Sequence, residues 1–85
     1  MERMDWVHAT FPSSGGAIAA QRALNGVCPA IVMPVLRQVS AGCGIALKLK
    51  AEDWETAREA LKNAGVDASF YGVTGTGKTL ECQKL

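Results

Sequence analysis

The residue best suited to chemistry in this 85-residue chain is Cys43, which stands between Gly42 and Gly44. Glycine has no Cβ and adopts positive φ readily, so flanking glycines let another molecule approach the backbone closely. We therefore expect the Cys43 thiol at the surface, where its thiolate can act as a nucleophile. The alternative is a small apolar residue that fills the start of a strand, because free cysteines are usually buried.

Hydrophobic periodicity along the chain predicts the elements that must position this thiol. Strands with alternating or continuous apolar residues are expected over 6–11, 30–35, 45–50 and 68–73. Helices are expected over 15–25 and from near Glu52 to Gly65. The order strand, helix, strand, strand, helix, strand is typical of the α+β class, specifically a ferredoxin-like βαββαβ sandwich with two helices on one face of a four-stranded antiparallel sheet.

The length of the chain allows one domain, which we predict over residues 1–74. Residues 75–85 show no apolar periodicity and are expected to form a polar C-terminal tail.

In this topology the loop that carries Cys43 leaves the sheet at the same end as the start of the first helix. The first-turn amides of a helix stabilise anions, and Arg37 lies in the same loop as Cys43. Both features favour a thiolate at Cys43. The residues expected to stabilise it are Ser13, Ser14, Gly15, Arg37, Gly42 and Gly44.

The other two cysteines are expected to play lesser parts. Cys28 follows the first helix at the opposite end of the sheet, so we predict a structural role for it. Cys82 lies on the tail, which could bring it to Cys43 as a resolving thiol, and the alternative is a surface cysteine without a role. An odd number of cysteines favours free thiols over a disulfide framework.

The sequence does not favour a metal site or a bound cofactor. It contains no Cys-x-x-Cys pair, and its one histidine, His8, falls in the middle of the first strand. We expect His8 on the sheet face that no helix covers, beside Trp6 and without a ligand.

Residues 72–79, Gly-Val-Thr-Gly-Thr-Gly-Lys-Thr, match the phosphate-binding P-loop pattern. A P-loop needs a helix that opens at the lysine, here Lys78, and further strands after it. Only six residues follow this stretch. We therefore do not predict a P-loop NTPase, and nucleotide binding stays an alternative that a Lys78→Ala variant can test.

Charge and hydropathy limit the partners. The net charge is +1, with 9 basic and 8 acidic residues spread along the chain, so a nucleic-acid partner is not expected. Apolar stretches are too short to span a bilayer, and residues 1–5 lack the features of an export signal. A cytoplasmic protein without membrane contact is therefore expected.

The residues around Cys43 also resemble a known family signature. Pro34-Val35-Leu36-Arg37-Gln38-Val39-Ser40-Ala41-Gly42-Cys43-Gly44 is similar to the pattern Pro-x-Pro-Arg-x-x-Ser-x-x-Cys-Gly of the selenium/sulfur carrier-like family, small bacterial domains without an assigned function. Residues 10–14 resemble the strand-to-helix turn of that family, and the resemblance extends through Val73. This chain has Leu36 where the family usually has its second proline.

The resemblance implies that Cys43 carries sulfur or selenium, as a persulfide or selenosulfide, between a donor and an acceptor protein. Two other functions stay open. One is a non-enzymatic interaction module that dimerises through the uncovered sheet face, where we expect Trp6, His8, Thr10, Val32 and Ala46. The other is a thiol redox sensor that pairs Cys43 with Cys82.

Overall fold

The computed structural model describes residues 4–39, 44–75 and 77–85, with the backbone alone at position 78. Two 3₁₀ turns, Ala51–Asp53 and Gly77–Thr79, connect the regular elements. These elements are β1 Trp6–Thr10, α1 Ser14–Leu24, β2 Ala30–Pro34, β3 Ile45–Lys50, α2 Trp54–Asn63, β4 Ser69–Thr74 and β5 Glu81–Lys84.

The strands form one antiparallel sheet in the order β2-β3-β1-β4-β5. The α+β class and the two helices are as predicted. The prediction of four strands was wrong, because Glu81–Lys84 pairs with β4 as a fifth strand. Its sequence, Glu-Cys-Gln-Lys, lacks apolar alternation since an edge strand is held by backbone hydrogen bonds and buries little side-chain surface.

The core lies between the sheet and both helices. Val7 and Ala9 on the central strand β1 are opposite Leu49 and Leu47 on β3, and all four are buried. The helices contribute the buried residues Ala17, Ala20 and Leu24 from α1 and Ala57 and Leu61 from α2. Neither helix, in the part of the chain that is described, has the length and apolar character needed to cross a membrane.

Local signals fix the ends of α1. Ser13 has extended backbone angles, and its Oγ accepts a hydrogen bond from the Gly16 N–H at 3.4 Å, so it is the N-cap. At the other end Gly26 has φ +81°, the left-handed conformation that terminates many helices.

The sheet face away from the helices is more covered than the sequence suggested. His8, Thr10, Ala46 and Val73 lie on it and are buried. Residues 35–39, which follow β2, lie over part of this face, as the hydrogen bond from Leu36 N–H to His8 Nε2 shows.

The predicted position of Val32 on this second face was wrong. The register of β2 places Val32 opposite Leu47, which belongs to the core on the helix side. All five residues of β2 are apolar, so no alternation of polar and apolar residues indicates which of them face the helices. Ile31 and Met33 lie on the second face instead, opposite Lys48 and Ala46.

Candidate functional site

The connection between β2 and β3 contains Cys43, the predicted nucleophile. Cys43 and Gly42, both predicted site residues, lie outside the described residues. Gly44 is described and exposed, and its carbonyl accepts a hydrogen bond from the Val35 N–H at 3.2 Å. This bond extends the β2–β3 ladder one step beyond the Pro34–Ile45 pair, so the chain is anchored to the sheet at the residue next to Cys43.

Nothing in the described part of the chain requires glycine at position 44. Gly44 has no positive φ, and a Cβ built on it would meet no described atom within 4 Å. Gly15 is similar, since its Cβ would meet only Ser13 Oγ, at 3.8 Å. No described side chain therefore fills the space beside these two glycines, so the packing of the described residues does not account for them.

The start of α1 lies at the same end of the sheet as Gly44, because Thr10 at the end of β1 pairs with Ala46 near the start of β3. The Gly16 and Ala17 amides bond back to the Ser13 carbonyl. The Ser14 and Gly15 amides have no hydrogen-bond partner among the described residues, and these residues are exposed. They are the donors that α1 offers to an anion.

Arg37 is exposed and forms no ion pair with any residue in the described ranges. No hydrogen bond in the described part of the chain links it to the start of α1. The structure therefore brings the start of α1 and Gly44 to one end of the sheet, and it shows no contact that joins Arg37 to either.

His8 is the residue whose environment differs most from the prediction. It was expected on an uncovered face, and it is 0 % exposed. Its Nε2 accepts the Leu36 N–H at 3.2 Å, while Nδ1 is buried and has no hydrogen-bond partner in the part of the chain that the structure describes. Burial lowers the pKa of His8. The sequence offered one signal, the place of His8 in the middle of a strand, and it could not show that residues 35–39 fold over that strand.

The structural role expected for Cys28 stays a prediction. Cys28 is half-buried and packs against the main core, at a surface cleft of about 760 Å³ between the end of α1 and the start of β2. Burial raises the pKa of the Cys28 thiol, and the negative charge of Asp53 raises it further. This thiol is therefore mostly protonated at neutral pH.

Cys82 lies on β5, where it is opposite Val73. It was expected on a tail that could move between the other cysteines, and pairing of β5 with β4 fixes it in the sheet instead. Burial raises the pKa of the Cys82 thiol. Cys82 lines a surface cleft of about 830 Å³ together with Gln38, from the segment that precedes Cys43.

Residues 72–74 of the stretch that matches the P-loop pattern belong to β4, and its other described residues, 75 and 77–79, lie between β4 and β5. Gly75 has φ +80°, and a Cβ there would lie 2.5 Å from the Thr79 carbonyl oxygen. The Gly75 N–H donates to Asp5 Oδ2 at 3.0 Å, so a carboxylate of the chain already uses this amide. A strand follows the turn, whereas a P-loop requires a helix there.

The described residues contain no group of three or more His, Cys, Asp or Glu side chains that could hold a metal ion.

Comparison with known proteins adds one finding. No curated protein and no solved structure matches the chain. The family model described as "Putative Se/S carrier protein-like" matches residues 7–71. This span contains Cys28 and Cys43, and it ends before Cys82 and β5. Since the match covers most of the chain, this protein belongs to the Se/S carrier protein-like family.

Proposed function

We propose that this protein carries sulfur or selenium between partner proteins as a persulfide or selenosulfide on Cys43. The observation that carries the proposal is the family match over residues 7–71, which contains Cys43 and the whole β2–β3 connection. The proposed setting is the cytoplasm, where thiols stay reduced and available for transfer.

The choice of Cys43 is supported by the state of the other two thiols. Cys28 packs against the core and Cys82 is half-buried in β5, and burial raises the pKa of both. Cys82 also lies outside the matched residues. A carrier needs an accessible thiolate at neutral pH, and neither of these thiols meets that requirement.

The transfer we propose has two steps. The Cys43 thiolate attacks the outer sulfur of a persulfide on the donor protein, and the S–S bond of the donor breaks to release its thiolate. A nucleophile on the acceptor then attacks the outer sulfur on Cys43, which leaves as the thiolate again. Each step is a thiol–disulfide type exchange without net oxidation.

The start of α1 and Arg37 are proposed to stabilise the Cys43 thiolate. The Ser14 and Gly15 amides, with Ser13 as the cap, present the positive end of the helix at the end of the sheet where Gly44 lies. We also propose that β1–β4 and the two helices form a ferredoxin-like unit to which β5 is added, since these four strands are arranged β2-β3-β1-β4.

The experiment is a mass measurement of the cysteine peptides from protein purified without reductant. We expect the Cys43 peptide to carry one extra sulfur or selenium atom that a reductant removes, and the Cys28 and Cys82 peptides to be unmodified. Extra sulfur on Cys28 or Cys82 but not on Cys43 would contradict the proposal.

A thiol redox sensor is the second candidate, and one observation favours it. Gln38, five residues before Cys43, lines the same cleft as Cys82. Mild oxidation followed by peptide mapping separates the two functions, because a sensor gives a Cys43–Cys82 disulfide and a carrier does not require one. The dimerisation alternative is not favoured, since His8, Thr10 and Ala46 on the proposed dimer face are buried.

A further inference from the structure

The hydrogen bond between Leu36 and His8 joins two parts of the chain that are 28 residues apart. His8 lies on β1, the central strand, and Leu36 lies in the segment 35–39, which leads from β2 toward Cys43. Three residues further on, Val39 is only 6 % exposed. The bond to His8 therefore holds residues 35–39 against the second face of the sheet, and Val39 at the end of this segment is buried.

The bond defines the chemical state of the His8 ring. Nε2 accepts a hydrogen from an amide, so it carries no proton, and the neutral ring must hold its proton on Nδ1. A protonated ring would present an N–H to the Leu36 N–H, and two donors cannot bond. The contact therefore exists only while His8 is neutral.

The charged and titratable groups around His8 do not favour its protonation. On the same face, Lys48 of β3 and Tyr71 of β4 stand directly opposite His8, and Lys84 of β5 stands opposite Tyr71. The covering segment contributes Arg37, and β1 itself contributes Trp6, whose ring meets His8 edge-on at 5.6 Å between centroids. None of these groups is a carboxylate that would stabilise an imidazolium.

We infer that His8 is a positioning residue that holds the segment 35–39 on the second face of the sheet through its neutral Nε2 atom. The buried Nδ1 has no hydrogen-bond partner among the described residues, which costs stability, so an apolar residue would serve packing alone better than His8 does. The importance of this docking for Cys43, which follows the segment by four residues, rests on the proposed function. The docking itself does not rest on it.

Acid weakens the docking. Because burial lowers the pKa of His8 below its ordinary value of 6.5, the unfolded chain takes up the proton more readily than the folded one. The stabilisation is fully present above pH 6.5 and is lost as the pH falls through the lower, folded value.

The test is amide hydrogen exchange of the full chain, measured by NMR, with Leu36 as the reporter. His8→Phe keeps a buried ring and removes the acceptor, so we expect the Leu36 amide to exchange about tenfold faster. Amides of α1 and α2 are expected to keep their wild-type rates. Tyr71→Phe is the matched control, since it alters an aromatic residue beside His8 without touching the acceptor, and it should leave Leu36 unchanged.

The wild-type protein provides a second measurement that needs no variant. The ¹⁵N shifts of the His8 ring should show a protonated Nδ1 and an unprotonated Nε2 at neutral pH, and Leu36 should lose its protection as the ring titrates. A ring protonated on Nε2, or a Leu36 rate unchanged in His8→Phe, would overturn the inference. Neither measurement involves a thiol, so failure of the inference about His8 can be told apart from failure of the carrier proposal.

Discussion

The β2–β3 and β4–β5 connections of this protein both contain glycines, and they differ in whether backbone angles and packing require glycine at the described positions. In the β4–β5 turn, Gly75 adopts a positive φ, and any Cβ would collide with the Thr79 carbonyl. In the β2–β3 connection, Gly44 has no such φ and no described neighbour that a Cβ would meet. Turn geometry explains Gly75 in the β4–β5 turn, whereas no contact among the described residues explains Gly44 in the β2–β3 connection.

The backbone amides near the two connections also differ in whether they bind a group of the described chain. The Gly75 amide already binds the Asp5 carboxylate, an oxygen ligand from within the chain. The Ser14 and Gly15 amides, at the end of the sheet where the β2–β3 connection begins, bind no group of the described chain. A match to a phosphate-binding pattern is therefore weaker evidence for anion binding than donors that remain without a partner.

The largest expected effect is on sulfur transfer. Cys43→Ser should abolish the sulfane sulfur on the protein after incubation with a persulfide donor, because the oxygen nucleophile cannot form the S–S bond. Cys82→Ser is the matched control and should retain wild-type loading. Mass spectrometry of the intact protein measures both, and equal loading of the two variants would remove Cys43 from the mechanism.

The next effect concerns stability and separates the two glycines directly. Gly75→Ala should lower the free energy of unfolding by about 2 kcal/mol, because alanine is strained at this φ and collides with Thr79. Gly44→Ala should change it by less than about 0.5 kcal/mol, because the site is exposed, a Cβ would meet no described atom, and the bond from Val35 N–H involves only the backbone. Urea denaturation gives both values, and a large loss in Gly44→Ala would mean that this glycine serves the fold.

The smallest expected effect is on nucleotide binding. Because a strand follows the β4–β5 turn and Asp5 occupies the Gly75 amide, a fluorescent nucleotide should not bind tightly to the wild-type chain, and Lys78→Ala should change nothing. Fluorescence titration checks this. Tight binding that disappears in the variant would restore the P-loop interpretation and reverse the contrast between the two connections.

Much of the fold could be predicted from the sequence, because local signals determine it. The alternation of Ile45, Leu47 and Leu49 with Ala46 and lysines indicates β3, and the helix expected over 15–25 corresponds to α1. The predicted helices and the first four strands therefore agree with the observed elements to within a few residues.

The parts that were missed depend on contacts between distant residues. Strand β5 is recognisable only from its pairing with β4, and the face on which Val32 lies follows from its register with Leu47. The burial of His8 depends on a segment 28 residues away. Of the predicted thiolate site, the capped helix start and Gly44 lie at one end of the sheet as expected, and the role of Cys43 remains a prediction.

The most direct test of the account is a comparison of the alkylation rates of the three cysteines in the folded protein at pH 7. We expect Cys43 to react at least about tenfold faster than Cys28 and Cys82, because burial raises the pKa of both and leaves them as slow, protonated thiols. Raising the pH should accelerate Cys28 and Cys82 by roughly tenfold per unit until each thiol titrates. Equal rates at pH 7, or a Cys43 that reacts more slowly than the other two, would contradict the account.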